Sequence, residues 1–384
     1  MCRAHEAAVG DPGADGLCLG FDPEIGSQRA PSSWTDGTVM ANRRPHSDPR
    51  EHRSCGSWFN NTLPFHRRIP MSDDADADPW LIDRRRFLGT LAGLVAGGLA
   101  APHTAFATPS LHTRPIPRSG ESLPVVGMGT YITFNVAGDE SLLAERLEVM
   151  RAFFAAGGGL IDSSPMYGSS EATIGHCLAQ LGHPTGMFSA TKVWTWFTSD
   201  GDAQMQESRR LWRIPQFDLM QVHNLLSWKD HLATIRRDRD AGLVRYIGIT
   251  TSHGRRHEDM EELMRTEALD FVQFTYNIVD REAEKRLLPL AADRGIAVIV
   301  NRPFQRKALI ERFGRHPLPP WAAEIGCSTW AQFLLKFIVS HPAVTCVIPA
   351  TSRADHMREN MAVLSGPLPD PDMRRRMVDH VATL

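Results

Sequence analysis

From residue 125 onward, short apolar runs alternate with amphipathic stretches. Runs at Val125–Tyr131, Leu160–Ser163, Met187–Trp194, Leu219–His223, Arg245–Thr250, Phe271–Tyr276, Ala297–Asn301 and Thr345–Pro349 read as strands. The stretches Ser141–Ala156, Ser170–Leu181, Ala203–Trp212, Lys229–Ala241, Glu258–Arg265, Arg281–Arg294, Ser328–His341 and Ala354–Leu364 carry helical spacing. Several helices meet a glycine at their end, as at Gly157, Gly182, Gly242 and Gly295, where a chain can turn left-handed. Eight strand–helix units with short connections predict an α/β fold closed as a (β/α)8 TIM barrel. A doubly wound open sheet is the alternative, but no G-x-G-x-x-G follows a strand to support it. Ahead of the barrel, Arg114 to Pro124 reads as a hairpin turning at Ser119-Gly120, placed to plug one end.

The first hundred residues have a different character. Residues 1–70 are rich in Arg, Pro, Ser and Gly without periodicity, the signature of an extension with no packed core or of over-called coding sequence upstream of Met71. Residues 71–107 read as a signal peptide. Asp83-Arg84-Arg85-Arg86-Phe87-Leu88-Gly89 resembles the twin-arginine export motif, although Asp83 and Gly89 depart from its usual flanks. The apolar run from Phe87 to Ala101 is short for a membrane span, which needs about 20 apolar residues. Ala105-Phe106-Ala107 follows with small residues at cleavage spacing. The expectation is a barrel over 108–384, carried by the twin-arginine machinery to the periplasm or beyond, with no stable membrane span after cleavage. An uncleaved anchor is the alternative.

Composition narrows the function. A net charge of −2 and a pI near 6.8 give no basic footprint for nucleic acid. Cys177, Cys327 and Cys346 are scattered in apolar contexts and read as buried thiols, neither a disulfide framework nor a zinc site.

The candidate chemistry gathers at strand ends. Asp162 closes the Leu160 run, and Tyr167 follows after four residues, before Gly168 and a helix opening at Ser169-Ser170-Glu171. A phenol with a reference pKa of about 10 is a poor acid near neutrality, and a nearby cation favours its ionised form. Lys192 stands near the end of the next strand and His223 near the end of the one after. Barrels of this type place catalytic groups at these strand ends. Singly, Asp162 reads equally as a helix cap, Tyr167 as a rim aromatic, Lys192 as a solvated charge and His223 as a core histidine. Together, in order, they point to proton transfer.

The segments VVGMGTY, LIDSSPMYGSSEATIG, SATKVW, LMQVHN, RYIGITTS, FVQFTYN and VIPATSRADHMREN resemble the aldo/keto reductase superfamily over nearly all of 115–365. The resemblance implies a barrel that binds a nicotinamide cofactor, NADP with NAD as the alternative, and reversibly reduces aldehydes or ketones. It implies Tyr167 as general acid, its pKa lowered by Lys192, with Asp162 paired to Lys192 and His223 orienting the carbonyl. For the cofactor it points to Gly129, Thr130 and Tyr131 at the nicotinamide end, and to Thr250, Thr251 and Gln273 for the carboxamide. It points to Thr351, Ser352, Arg353 and Asn360 for the adenosine phosphate, with no acidic residue in that loop before Asp355. The chain departs from the pattern at Asn301, where the family carries an aromatic ring, and at Ala350 and His356, where it carries Lys and Arg.

Other features are weaker. His253 and His257 lack a third ligand, so no metal is expected. Trp194, Trp196, Phe197, Trp228 and Phe304 follow strands on the catalytic side and could wall an apolar pocket or simply pack. Arg374-Arg375-Arg376 reads as the solvated face of a terminal helix. Two rival functions stand beside the reductase. One is a non-catalytic cofactor-binding subunit on the same fold. The other is a barrel hydrolase, which would want paired carboxylates or metal ligands that are not found.

Overall fold

A computed structural model describes residues 111–384. The chain divides into two units, 1–99 and 100–384, and the described residues lie in the second. The extension expected over 1–70 and the signal peptide expected over 71–107 lie outside the described residues.

Eight parallel strands form one sheet: β3 (Met128–Gly129), β4 (Leu160–Asp162), β5 (Phe188–Val193), β6 (Phe217–Val222), β7 (Val244–Thr250), β8 (Phe271–Thr275), β9 (Ala297–Asn301) and β10 (Cys346–Val347). Each pairs with the next in sequence. Parallel bridges Val126 to Val347 and Gly129 to Ala350 join the last strand to the first, so the sheet closes into the expected (β/α)8 barrel. Closure explains two glycines. A Cβ at Gly127 would sit 2.7 Å from the Leu160 carbonyl oxygen, and one at Gly129 would sit 2.8 Å from that of Ile348. Only a residue without a side chain lets these backbones approach so closely.

The outer helices are α1 (Glu140–Ala155), α2 (Ser170–Leu181), α3 (Thr198–Trp212), α4 (Trp228–Asp240), α5 (His257–Thr266), α6 (Leu287–Arg294), α7 (Ala308–Phe313), α8 (Trp330–Val339), α9 (Ala354–Met361) and α10 (Pro371–Ala382). Side-chain caps set several of their starts. Asp139 accepts from the Leu142 N–H, Thr329 from Gln332, and Asp370 from Met373. The helix expected over 281–294 is shorter. A 3-10 turn occupies Glu282–Glu284 and α6 begins at Leu287, because Pro289 is tolerated only in a helix's first turn. Helix α7 and the turn at Pro320–Ile325 were not foreseen; they are inserted between β9 and α8.

Successive strand residues face alternately the helices and the barrel axis. The larger core, including Val149, Phe153, Ile174, Trp212, Ile235, Phe274 and Phe337, lies between sheet and helices. A second cluster fills the barrel: Leu160, Phe188, Ala190, Leu219, Tyr246, Phe271, Ala297 and Ile299. Ile116 and Leu123 from the β1 (Thr113–Pro115) and β2 (Ser122–Pro124) hairpin join it, so the hairpin plugs the N-terminal end. The apolar filling stops one layer short of the other end, and polar side chains take over there.

The reading of Arg374 as solvated is corrected by the structure. Its guanidinium is largely buried and donates to the Tyr276 hydroxyl (2.6 Å), Ser340 Oγ (2.8 Å) and Glu284 (3.2 Å), tying α10 to the barrel. Burial pushes the Tyr276 phenol above its usual range, while Arg374 pulls it down.

Candidate active site

The polar layer is built from residues that alternate with the apolar filling. Leu160 precedes Asp162 by two positions, Ala190 precedes Lys192, Leu219 precedes Gln221, Phe271 precedes Gln273 and Ile299 precedes Asn301. Period-two geometry therefore aims all five polar side chains at the axis, near the strands' C-terminal ends.

Asp162 is the hub. Its Oδ2 accepts from Lys192 Nζ at 2.5 Å, with the ammonium fully buried. Its Oδ1 accepts from Gln221 Nε2 and Gln273 Nε2, each at 3.0 Å. Lys192 also donates to the Ser163 carbonyl oxygen at 2.7 Å. Burial opposes the charge on Lys192, but Asp162 and Tyr167 overcome it and the ammonium is held above its usual range.

Tyr167 comes from the loop after β4. A 3-10 turn at Pro165–Tyr167, capped by Ser164, turns the ring back over the barrel end. Gly168 follows at φ 61, and a Cβ there would meet the Asn135 side chain at 2.5 Å. Lys192 Nζ lies 5.1 Å from the centre of the Tyr167 ring. The rings of Tyr131 and His223 pack edge-on to it, at centroid distances of 5.0 and 5.8 Å. Burial raises the Tyr167 phenol above its usual value, and Lys192 works against that rise. The lysine thus acts in the direction the sequence implies, but burial outweighs it and the phenol stays protonated at neutral pH.

His223 is buried, and desolvation followed by the Lys192 charge drives it well below the ordinary imidazole value. It is neutral at pH 7. Ser164 Oγ lies 3.0 Å from its Nδ1 and accepts from the Met166 N–H at 3.2 Å. Donation by the Ser164 hydroxyl to Nδ1 would leave the ring proton on Nε2.

The residues assigned to the cofactor divide. Gly129 and Thr130 lie beside Asp162, and the Thr130 hydroxyl reaches the Asp162 carbonyl oxygen and Ser163 Oγ, both at 2.9 Å. Tyr131 accepts from Arg306 at 2.6 Å. The Thr250 hydroxyl accepts from the Asn224 N–H at 3.1 Å. Gln273 is turned to Asp162. The Thr251 hydroxyl is buried without a hydrogen-bond partner. A buried orphan hydroxyl calls for one, so this end of the barrel fits a polar ligand such as a carboxamide.

At the start of α9, the Arg353 N–H donates to Thr351 Oγ1 at 3.2 Å, and the Ser352 carbonyl accepts from the buried Arg146 at 2.7 Å. Arg353 is exposed and paired at 2.5 Å with Asp355 in the first turn of α9. Asn360 is buried on α9.

Asn301, the departure from the family's aromatic, is bound on both sides. It accepts from the Thr275 hydroxyl at 2.8 Å and donates to the Thr251 carbonyl at 2.9 Å and to Gln273 Oε1 at 3.3 Å. Among the aromatics, Trp194 lies beside His223, ring centres 6.5 Å apart, while Trp228 and Phe304 pack on the core. Trp196 and Phe197 are largely exposed.

Sequence reasoning missed two residues. Gln221 carried a signal, since it is a polar residue at an inward position of an apolar strand. Glu171 had been read only as part of a helix start. It is buried and accepts from Thr191 Oγ1 (2.6 Å), Ser208 Oγ (2.9 Å) and Trp212 Nε1 (3.2 Å), pinning α2 to β5 and α3.

Residues 125–377 match the model of the Aldo/keto reductase family. The chain belongs to that family. This aldo/keto reductase is an oxidoreductase enzyme. It is 26% identical over 253 residues to methylglyoxal reductase YeaE of Escherichia coli, covering 63% of this chain and 86% of the relative. It is 23% identical over 271 residues to the NADH-specific methylglyoxal reductase of Escherichia coli, covering 56% and 80%. An aldo/keto reductase from Klebsiella pneumoniae, solved in complex with NADP and acetate, shares the fold at a TM-score of 0.59 and 22% identity, over 68% of this chain and 92% of that one.

Proposed function

We propose that the enzyme is an exported, NADP-dependent reductase of aldehydes or ketones, working reversibly, with Tyr167 as its proton donor. The observation that carries the reading is the buried Lys192–Asp162 pair beneath the Tyr167 ring. Family membership supplies the reaction class. Thr250, Thr251 and the backbone around Gly129 would hold the nicotinamide, and Thr351, Ser352, Arg353 and Asn360 the adenosine phosphates. When bound, the nicotinamide supplies a hydride to the carbonyl carbon.

The chain's own groups manage the charge that grows on the carbonyl oxygen. Tyr167 is protonated, so it donates as that oxygen becomes basic. The Lys192 ammonium stabilises the phenolate left behind, and Asp162 keeps the ammonium in place. His223 is neutral, and in the tautomer that carries its proton on Nε2 it offers a second donor to the oxygen without competing as an acid. In the reverse direction the phenolate takes the proton, so oxidation rises with pH where reduction falls. Trp194, beside His223, gives the carbonyl's substituent an apolar wall.

Export is proposed on Arg84-Arg85 and the apolar segment after them. Tyr167→Phe tests the chemistry. It should lose ~10²–10⁴ of turnover with a panel of aldehydes while cofactor still binds by fluorescence titration. Retention of more than about a tenth of wild-type turnover would remove Tyr167 from the role.

A further inference from the structure

Barrels of this type fill their interior in layers drawn from alternate strands, usually with bulky branched side chains. Here one layer is polar: Asp162 on β4, Gln221 on β6 and Gln273 on β8, all buried. These side chains form a directional chain. The Thr275 hydroxyl donates to Asn301 Oδ1. Asn301 Nδ2 donates to Gln273 Oε1 at 3.3 Å, which turns Gln273 Nε2 toward Asp162 and Gln221. Gln273 Nε2 donates to Gln221 Oε1 at 3.2 Å, which turns Gln221 Nε2 to Asp162 as well. Each amide is oriented by the one before it, and the chain ends on one carboxylate oxygen.

The backbone makes room for this arrangement. Gln221 is in register with Lys192 on β5 and with Gly248 on β7. A Cβ at Gly248 would lie 3.0 Å from Gln221 Cγ and 3.1 Å from the Phe271 carbonyl oxygen. The glycine leaves the space in which Gln221 crosses the barrel.

We propose that Gln221 is a positioning residue for the reaction: with Gln273 it holds Oδ1 of Asp162, and so fixes the carboxylate that presents Lys192 to Tyr167. The terminal torsion of an aspartate is broad and roughly two-fold, so the Lys192 contact alone leaves the carboxylate free to turn. Donors on Oδ1 and an ammonium on Oδ2 fix its plane. They also spread its charge, which otherwise acts on Tyr167. The titratable and charged groups around Tyr167 are Lys192 and Asp162 below it and Tyr131 and His223 beside it. This role rests on the proposed reading of Tyr167 and Lys192.

Two variants test it in the full chain. Gln221→Met keeps length and volume but removes the donor. Gln221→Leu removes the donor with a shorter, differently shaped apolar side chain. With a neutral aldehyde, kcat should fall roughly 10- to 100-fold in both Gln221→Met and Gln221→Leu. The alkaline limb of the reduction profile should move up by about half a pH unit or more, because the less compensated Asp162 charge disfavours phenolate. Cofactor affinity should stay at the wild-type value. Three results overturn the proposal: kcat within about twofold of wild type in Gln221→Met, a lower kcat with an unmoved alkaline limb, or a loss traced to weaker cofactor binding. Should Gln221→Met fail to fold, Gln221→Leu carries the same comparison. Tyr167→Phe, run alongside, separates the two levels. If it keeps full activity, the reading of the site and this role fall together. If it is inactive and the Gln221 variants are normal, only this role falls.

Discussion

Replacing Lys192 with methionine separates what the buried pair does for stability from what it does for chemistry. Methionine matches the length of the lysine stem, so packing changes little. What changes is charge. Lys192 is fully buried and Asp162 2% exposed, so Lys192→Met leaves an uncompensated carboxylate in the barrel. Breaking a buried pair in this way costs about 3–5 kcal/mol. At ~2–4 °C per kcal/mol for a domain of this order of size, Tm should fall by about 10 °C. Turnover should fall at least ~100-fold, because the phenolate left on Tyr167 loses its counter-charge. The second variant is Lys192→Met combined with Asp162→Asn. It removes both charges and keeps an Oδ1 acceptor for Gln221 and Gln273. It should regain most of the lost Tm and none of the lost activity. Calorimetry and steady-state reduction of one aldehyde provide both numbers. The reasoning fails if the double variant is no more stable than the single one, or if Lys192→Met keeps turnover within about tenfold of wild type.

Glu171 makes a pH-dependent contribution to stability. Burial raises its pKa above the ordinary 4.5, against the pull of its three donors, so the folded state binds the proton more tightly than the unfolded state. Stability is therefore lost as pH rises from about 4.5 toward the raised value. Glu171→Gln should flatten Tm against pH over that window, and an unchanged slope would assign the dependence elsewhere. The twin-arginine route carries folded proteins, so an exported reductase should leave the cytoplasm with its cofactor on board, where binding also stabilises the native state. Denaturing the exported protein should release NADP. Protein that is empty, carries NAD, or stays in the cytoplasm with 71–107 intact would refute the corresponding part of that reading.

Periodicity in the sequence was enough to determine the barrel. Eight apolar runs at strand length, separated by amphipathic helices, leave few other ways to bury both faces of a parallel sheet. It also determined which residues reach the site. Asp162, Lys192 and His223 sit at strand ends, where the fold decides the direction of a side chain, and Tyr167 follows on a short turn. The sequence could not say which neighbour each group would take. The resemblance pointed to Gln273 for the carboxamide and marked Asn301 only as a departure from an aromatic ring; register between strands far apart in sequence also joins both in a hydrogen-bonded chain that ends on Asp162. Arg374 looked solvated beside two other arginines, and only the packing of α10 across Tyr276 and Glu284 buries it. The balance at Tyr167 was likewise out of reach. A nearby lysine is legible from spacing, whereas the desolvation that outweighs it depends on how many elements close around the ring. Strand and helix follow from local pattern; polar partners and pKa values follow from contacts that only the closed barrel creates.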